Sequence, residues 1–444
     1  MTAATIFALA TPPGRSGVAV VRISGPGAGP SLQLMTGSPL PVPRMAVRRS
    51  VRDPGTGEML DSALILWFSG PASFTGEDVA ELHLHGGRAV TAAVMQALAS
   101  LPGLRLAEPG EFTRRAFLAG KMDLTAVEGL ADLIDAETEA QRRQALRQMG
   151  GALAALYEGW RSRLLCVLAH AEAIIDFPDE DMPEETSDQL RAEITALLEE
   201  IEGHLGDSRR GERLREGVRI AIIGPTNAGK SSLLNWLAGR DAAIVSAVAG
   251  TTRDVIEVHL DLGGYPVLLA DTAGLRETTD ALEEEGIRRA RLWARQADYR
   301  ILLLDGARLD ALQMAAHIEQ ENPSLVVMNK SDLMISWPTG ATGSGEILSV
   351  SVKSGQGMAD FLARLEQEVA RLAAPGEMPA LTRMRHRMAV ESARDSLNRF
   401  LVAASPDLAA EDLRLAVREI GRITGRVDVE DLLDVIFRDF CLGK

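Results

Sequence analysis

The sequence predicts a multidomain chain of mixed α/β and α class. An N-terminal α+β domain precedes a helical domain that is interrupted by an inserted α/β unit. Three observations carry this reading. Short apolar runs separated by Gly- and Pro-containing turns fill residues 1–118. Apolar residues at three- and four-residue spacing fill 119–216 and 375–444. Over 217–374, unbroken apolar runs alternate with helical patterns, as in strands covered by helices on both faces. A length of 444 residues accommodates about three domains at roughly 150 residues each.

In the first zone Gly17–Ile23, Ser62–Phe68 and Val79–Leu84 read as strands, and Ala89–Ala99 as a helix. Turn signals at Asp53-Pro54-Gly55-Thr56-Gly57 and Phe74-Thr75-Gly76 separate them. In the second, Leu124, Val127, Leu130, Leu133 and Ile134 mark one helix face. Leu153, Leu156, Trp160, Leu164 and Leu168 continue it, with a break expected at Gly150-Gly151. Pro178 and Pro183 end that run, and one further helix is expected over about Thr186–Arg215. The expected strands of the third zone are Val218–Ile223, Pro266–Ala270, Ile301–Leu304, Leu325–Met328 and Ile347–Val350. The fourth zone is helical, with breakers at Pro406 and Gly421. Both helical zones are expected to form one domain, because insertions succeed where chain ends lie close together on a surface.

Hydrophobic residues make up 46% of the chain and charged residues 25%, which argues against a largely disordered protein. Two cysteines exclude a disulfide scaffold and a Cys-rich zinc module. The apolar runs are too short to span a bilayer, and no basic segment precedes an apolar stretch at the start. The expectation is a soluble cytoplasmic protein. Its 47 Lys+Arg stand against 62 Asp+Glu, a net charge of -15 that disfavours non-specific polyanion binding. The basic clusters Arg114-Arg115, Arg209-Arg210 and Arg383/Arg385/Arg387 are expected to be solvated helix faces.

Gly224-Pro225-Thr226-Asn227-Ala228-Gly229-Lys230-Ser231 fits G-x-x-x-x-G-K-[ST]. It follows a strand and opens a helix, the context a phosphate-binding P-loop needs. Its glycines let backbone N–H groups curl around a β-phosphate, and the helix N-terminus adds its dipole. Lys230 is expected on the β- and γ-phosphates and Ser231 on Mg²⁺. Asp271-Thr272-Ala273-Gly274 follows the next strand, where Asp271 reaches Mg²⁺ and the Gly274 amide senses the γ-phosphate. Between them, Gly250-Thr251-Thr252-Arg253-Asp254 supplies a Thr that completes the Mg²⁺ shell only when a γ-phosphate is present. Asn329-Lys330-Ser331-Asp332 follows a fourth strand. A carboxylate there accepts from guanine N1–H and the exocyclic amine, a pair adenine lacks, so the unit selects GTP. Ser351-Val352-Lys353 occupies the last guanine-contacting loop. Four such motifs in this order predict a Ras-like P-loop G domain. The residue after Gly274 is Leu275, which cannot orient water, so either another group does or hydrolysis is very slow; the nearby acidic run Glu283-Glu284-Glu285 reads either as a source of that carboxylate or as a solvated helix start.

Motifs outside the G domain are more specific: Thr11-Pro12-Pro13-Gly14-Arg15, Ser73-Phe74-Thr75-Gly76-Glu77-Asp78, His85-Gly86-Gly87, Pro109-Gly110-Glu111-Phe112, Ile174-Ile175-Asp176-Phe177-Pro178 and Phe440-Cys441-Leu442-Gly443-Lys444. With these, the chain resembles the MnmE (TrmE) family of tRNA-modification GTPases from Thr11 to Lys444. The resemblance implies an N-terminal folate-binding-like domain that also dimerises. It implies action with an FAD-dependent partner, MnmG (GidA), to place aminomethyl-type groups on C5 of the tRNA wobble uridine. It also implies that a tetrahydrofolate derivative supplies the one-carbon unit. It implies K⁺-dependent pairing of G domains, with K⁺ ligands at Asn227, Ser246, Val248 and Thr251, Mg²⁺ ligands at Ser231 and Thr252, and Glu283 orienting water. The nucleotide set is then Asn227, Ala228, Gly229, Lys230, Ser231, Ser232, Ser246, Thr251, Thr252, Asp271, Thr272, Ala273, Gly274, Asn329, Lys330, Asp332, Ser351, Val352 and Lys353. The folate set is Arg22, Glu81, Lys121 and Lys444, in which a carboxylate suits the pterin N–H edge and cations suit the glutamate tail.

Cys441, three residues before Lys444, has little packing role and is a candidate reactive thiol, which the family requires for modification. Cys166, between Leu165 and Val167, is expected in a helix core. Two other readings remain: a GTP-dependent ribosome-assembly factor, and a metabolic folate enzyme with a regulatory G domain.

Overall fold

The computed structural model describes residues 4–176, 184–239, 257–271, 293–308, 317, 321–334, 347–376, 378–427, 433, 436, 437, 440 and 443. They fall into two compact units, one drawn from 1–131, 149–158 and 420–444, the other from 132–148 and 159–419.

The first unit is built on a six-stranded sheet of β1 (Thr5–Leu9), β2 (Ser16–Ser24), β3 (Val47–Arg52), β4 (Met59–Phe68), β5 (Val79–Gly86) and β6 (Leu104–Leu106), in the order β3-β4-β5-β2-β1-β6. Only β1 and β6 pair in parallel. β5 shows how sequence sets the two faces: Ala80, Leu82 and Leu84 are buried, whereas Glu81, His83 and His85 are more exposed. Leu32 and Met35 of the helix Ala28–Thr36, and Val94 and Leu98 of the helix Arg88–Ala99, close the buried face over Val21, Ile65 and Leu82. Each such side chain contributes about 1.5–3 kcal/mol, and a one-residue slip would lose all of them, so register is fixed. The strand and helix expectations for this zone are borne out. Near the end of the chain, Leu433, Phe437 and Phe440 pack on Leu124 and Val127. Gly110, at φ 68°, leaves room for this: a Cβ there would lie 2.7 Å from the Phe437 carbonyl oxygen.

The second unit holds another six-stranded sheet: β7 (Val218–Ile223), β8 (Glu257–Leu262), β9 (Tyr265–Asp271), β10 (Tyr299–Asp305), β11 (Leu325–Asn329) and β12 (Ile347–Ser349), in the order β12-β11-β10-β7-β9-β8. All pairs are parallel except β8 with β9. Successive residues enter opposite cores, Ile220, Ile222 and Leu303 on one face and Ala221, Ile223, Leu302 and Leu304 on the other. That explains the unbroken apolar runs. β8 was not expected. It turns into β9 through Gly263 and Gly264, both at positive φ, which is the geometry of a tight hairpin.

The helices of this unit correct three expectations. The Thr186–Arg215 run is two helices, Glu184–Leu205 and Arg210–Glu216, because Ser208 and Arg209 take left-handed φ of 54° and 61°. Cys166 is exposed, since the buried stripe runs through Trp160, Leu164, Val167 and Ala171. Several basic residues pair with carboxylates instead of facing solvent. Arg387 is 7% exposed and meets Asp207 at 2.6 Å and Glu212 at 2.7 Å. Arg383 meets Asp132 at 2.7 Å, and in the first unit Arg115 meets Glu77 and Glu111, each at 2.9 Å. The break at Gly150-Gly151 holds: one helix ends at Met149 and the next starts at Ala152. Among the described residues, no helix is long and apolar enough to cross a membrane.

Candidate functional site

β7 delivers the chain to the loop 224–229, and the helix Lys230–Ala238 leaves it. β9 and β10 lie on opposite sides of β7, so the loop sits at a switch in strand order, where α/β sheets leave a crevice. Two glycines shape it. Gly224 has φ 135°, and a Cβ would lie 2.1 Å from the Leu303 carbonyl; Gly229 has φ 100°, and a Cβ would lie 2.4 Å from Asn329 Nδ2. Asn227 adopts φ 61° between them. The loop thereby turns its amides toward a helix N-terminus, the arrangement that holds a phosphate. Lys230 is buried, and its Nζ donates to the carbonyls of Gly224 and Pro225 at 2.8 Å each. Ser231 and Ser232 are exposed in the first helical turn.

Asn329 ends β11 and joins three distant segments. Its Nδ2 donates to the Ala228 carbonyl at 2.8 Å, and its Oδ1 accepts from the amides of Lys330 at 2.8 Å and Val352 at 3.2 Å. Lys330, at φ 62°, donates to the Asn227 carbonyl at 2.9 Å and pairs with Asp305 at 2.6 Å. Asp332 is exposed in the short 3-10 turn Ser331–Leu333, free to meet a base edge. Ser351 is buried, its Oγ accepting from the Ser354 amide at 3.1 Å, while Lys353 is exposed. The structure therefore brings together residues near 228, 329 and 352. Asp305 escaped the sequence reading, although an acid at the end of an apolar strand is the same signal that marked Asp271. The Asp271 backbone ends β9 in register with Ile222. Ser246, Val248, Thr251, Thr252, Thr272, Ala273, Gly274, Glu283, Cys441 and Lys444 lie outside the described residues.

In the first unit, Arg22 and Glu81 are cross-strand neighbours on β2 and β5, and Arg22 Nη2 lies 2.9 Å from Glu81 Oε1. The guanidinium also sits 5.6 Å from the Phe74 ring centre and 5.7 Å from that of Phe112, and donates to the Gly443 carbonyl at 3.4 Å. Gly443 has φ 96°, and a Cβ there would lie 2.3 Å from the Leu9 carbonyl, so the end of the chain is seated against β1. Lys121 donates to the Pro71 carbonyl at 2.5 Å, and its Cε lies 3.5 Å from where a Gly76 Cβ would be. The 70–77 loop thus links Lys121 with the Arg22–Glu81 pair. A carboxylate beside cations and aromatic rings suits a heteroaromatic ligand with an N–H edge and an acidic tail, so these residues fit a folate. Sequence reasoning missed His83, whose Nε2 is 3.3 Å from Glu81 Oε2, and quoted Phe74 and Phe112 only as motif residues without placing them beside Arg22.

A cavity of about 540 Å³ opens nearby, lined in part by Thr75, Gly76, Glu77, Arg105, Glu111 and Arg115. Burial alone would raise the Glu111 carboxyl. Hydrogen bonds from Arg105, the Glu108 amide and Arg115 outweigh it and bring the group down to about 2. Among the described residues, no three His, Cys, Asp or Glu side chains are grouped to hold a metal ion.

Two family models match the chain. The model for the GTP-binding protein TrmE N-terminus matches residues 5–121, and that for the MnmE helical domain matches 124–441. The tRNA modification GTPase MnmE of Paramagnetospirillum magneticum is 57% identical over 440 residues, 99% of each chain. Its counterpart in Rhodospirillum rubrum is 54% identical over 456 aligned residues, all of both chains. The mitochondrial 5-taurinomethyluridine-[tRNA] synthase subunit GTPB3 of Danio rerio is 49% identical over 467, covering 99% of this chain and 93% of the other.

Proposed function

The chain belongs to the MnmE (TrmE) family of tRNA-modification GTPases, and on that premise we propose that it hydrolyses GTP to drive modification at C5 of the tRNA wobble uridine (U34). The added group is aminomethyl or carboxymethylaminomethyl, the one-carbon donor is a tetrahydrofolate derivative, and an FAD-dependent MnmG (GidA) protein is the partner. The protein works as a cytoplasmic homodimer of 1–118, 119–216, 217–374 and 375–444 segments, the second and fourth forming one helical domain.

The observation that carries the nucleotide half is the Asn329 bridge. It fixes the phosphate loop relative to the guanine loops, so phosphates and base are read by one rigid frame. Asp332 accepts from the guanine edge. Lys230 and the loop amides hold the phosphates, with Ser231 and Thr252 as Mg²⁺ ligands and Asn227, Ser246, Val248 and Thr251 as K⁺ ligands. When bound, these cations supply positive charge opposite the charge that grows on the phosphates. Glu283 orients water in place of a Gln after Gly274. Arg22, Glu81, Lys121 and Lys444 bind and orient the folate, and Cys441 acts in the modification itself.

Two measurements test this. GTP turnover should be several-fold faster in K⁺ than in Na⁺, and equal rates would count against the cation role. Nucleosides of tRNA from cells lacking the protein should lose the U34 group, regain it with the wild-type chain and not with Cys441→Ser. Unchanged nucleosides, with the protein found on ribosomal subunits, would favour an assembly factor.

A further inference from the structure

Among the described residues, most arginines are matched by carboxylates, as at Arg163, Arg387 and Arg414. One stretch is different. Arg44, Arg48, Arg49 and Arg52 fall within nine residues that contain no acid, on and just before the edge strand β3. Among the described residues none of the four makes an ion pair. Each is held by neutral groups instead. Arg44 donates to the Ala72 carbonyl and lies 5.6 Å from the Phe68 ring centre. Arg48 Nε donates to Ser62 Oγ at 3.0 Å, Arg49 to the Pro39 carbonyl at 2.5 Å and Arg52 to the Gly57 carbonyl at 3.2 Å. The nearest acids are engaged elsewhere or stand apart. Asp53 accepts from the Gly55 and Thr56 amides, Asp61 holds His85, and Glu58 is exposed without an ion pair. Side-chain directions are thus set while the charge stays available.

We propose that the β3 edge, through Arg44, Arg48 and Arg52, binds the phosphodiester backbone of the tRNA substrate. This rests on the tRNA-modification reading above and adds where the RNA is held. In a chain of net charge -15, polyanion affinity must come from such a local excess. Guanidiniums fixed in direction and exposed on and just before an extended strand, with Arg48 and Arg52 about 13 Å apart by strand rise, present donors to phosphate oxygens of an RNA backbone. Backbone contacts carry no sequence information, so different tRNAs should feel them alike.

The test compares the full-length wild type, Arg48→Gln/Arg52→Gln, and the control Arg414→Gln, whose arginine is paired. Binding of a substrate tRNA and of an unrelated tRNA is followed across a salt series. The double variant should bind both about tenfold more weakly and lose about one unit of salt slope per phosphate contact removed. GTP turnover without tRNA and the control should match wild type. Unchanged tRNA affinity and slope would overturn the proposal. So would a variant that keeps tRNA but self-associates, which would make the arginines guards of an open strand edge. So would one that keeps tRNA but loses the flavoprotein, which would assign the patch to a protein partner. If cells lacking the protein keep fully modified wobble uridines, the function reading fails, whatever the arginines do.

Discussion

Asn329 and Ala228 stand 101 residues apart, and the amide nitrogen of the first donates to the carbonyl of the second at 2.8 Å in a buried bond. Asn329→Asp replaces that donor with an acceptor facing another acceptor. Leaving the Ala228 carbonyl unsatisfied costs about 1–3 kcal/mol. Guanine nucleotide affinity should therefore fall at least about fivefold, read by fluorescent GDP titration. An unchanged dissociation constant would show that the bridge is dispensable.

Gly443→Ala tests the seat of the chain end. The new methyl would meet the Leu9 carbonyl at 2.3 Å, and φ 96° adds about 1–2 kcal/mol of strain. The tail should leave Arg22. Folate affinity and wobble modification should drop together, while GTP turnover stays at the wild-type rate. Normal modification in this variant would sever the tail from the reaction.

Arg387→Ala should be among the most destabilising single changes in the second unit. It strands the carboxylates of Asp207 and Glu212, which are 19% and 12% exposed. Removing one partner of such a pair costs about 3–5 kcal/mol, read from the urea midpoint. Arg387→Lys keeps the charge but not the planar fork, and should fall between.

His204 predicts acid sensitivity. Burial, with Arg387 and His386 adding positive charge, outweighs Asp207 and lowers the imidazole to about 4 from its ordinary 6.5. The native state refuses a proton that the unfolded chain accepts below pH 6.5. Its stabilising contribution is whole above that value and is lost progressively as pH falls toward 4, reaching about 3 kcal/mol. His204→Gln should flatten the unfolding curve over that window. The Trp160 ring lies edge-on at 5.4 Å, so tryptophan emission reports the change. Equal pH profiles for both proteins would refute the assignment.

The nucleotide frame was readable because each motif is a contiguous run whose backbone does the work. The glycines at 224 and 229 announce close approaches that the structure then shows. The interhelical turns were less visible. Ser208 and Arg209 adopt left-handed geometry with no glycine to signal it. The helix start after Asp135 was legible but overlooked: Thr138 and Gln141 form a reciprocal cap, with the Thr138 amide donating to Gln141 Oε1 at 3.0 Å. The Gly263-Gly264 hairpin was likewise written in the sequence. The Arg22–Glu81–His83 row was not, because its members come from two strands and only register aligns them.

The contact between Arg22 and Gly443 bridges 421 positions. A nascent chain can therefore pair β2 with β5 early, yet this corner must wait until Gly443 has been added, long after the strands of both sheets. A chain cut short downstream of the second sheet would carry every strand of both sheets and still lack this corner.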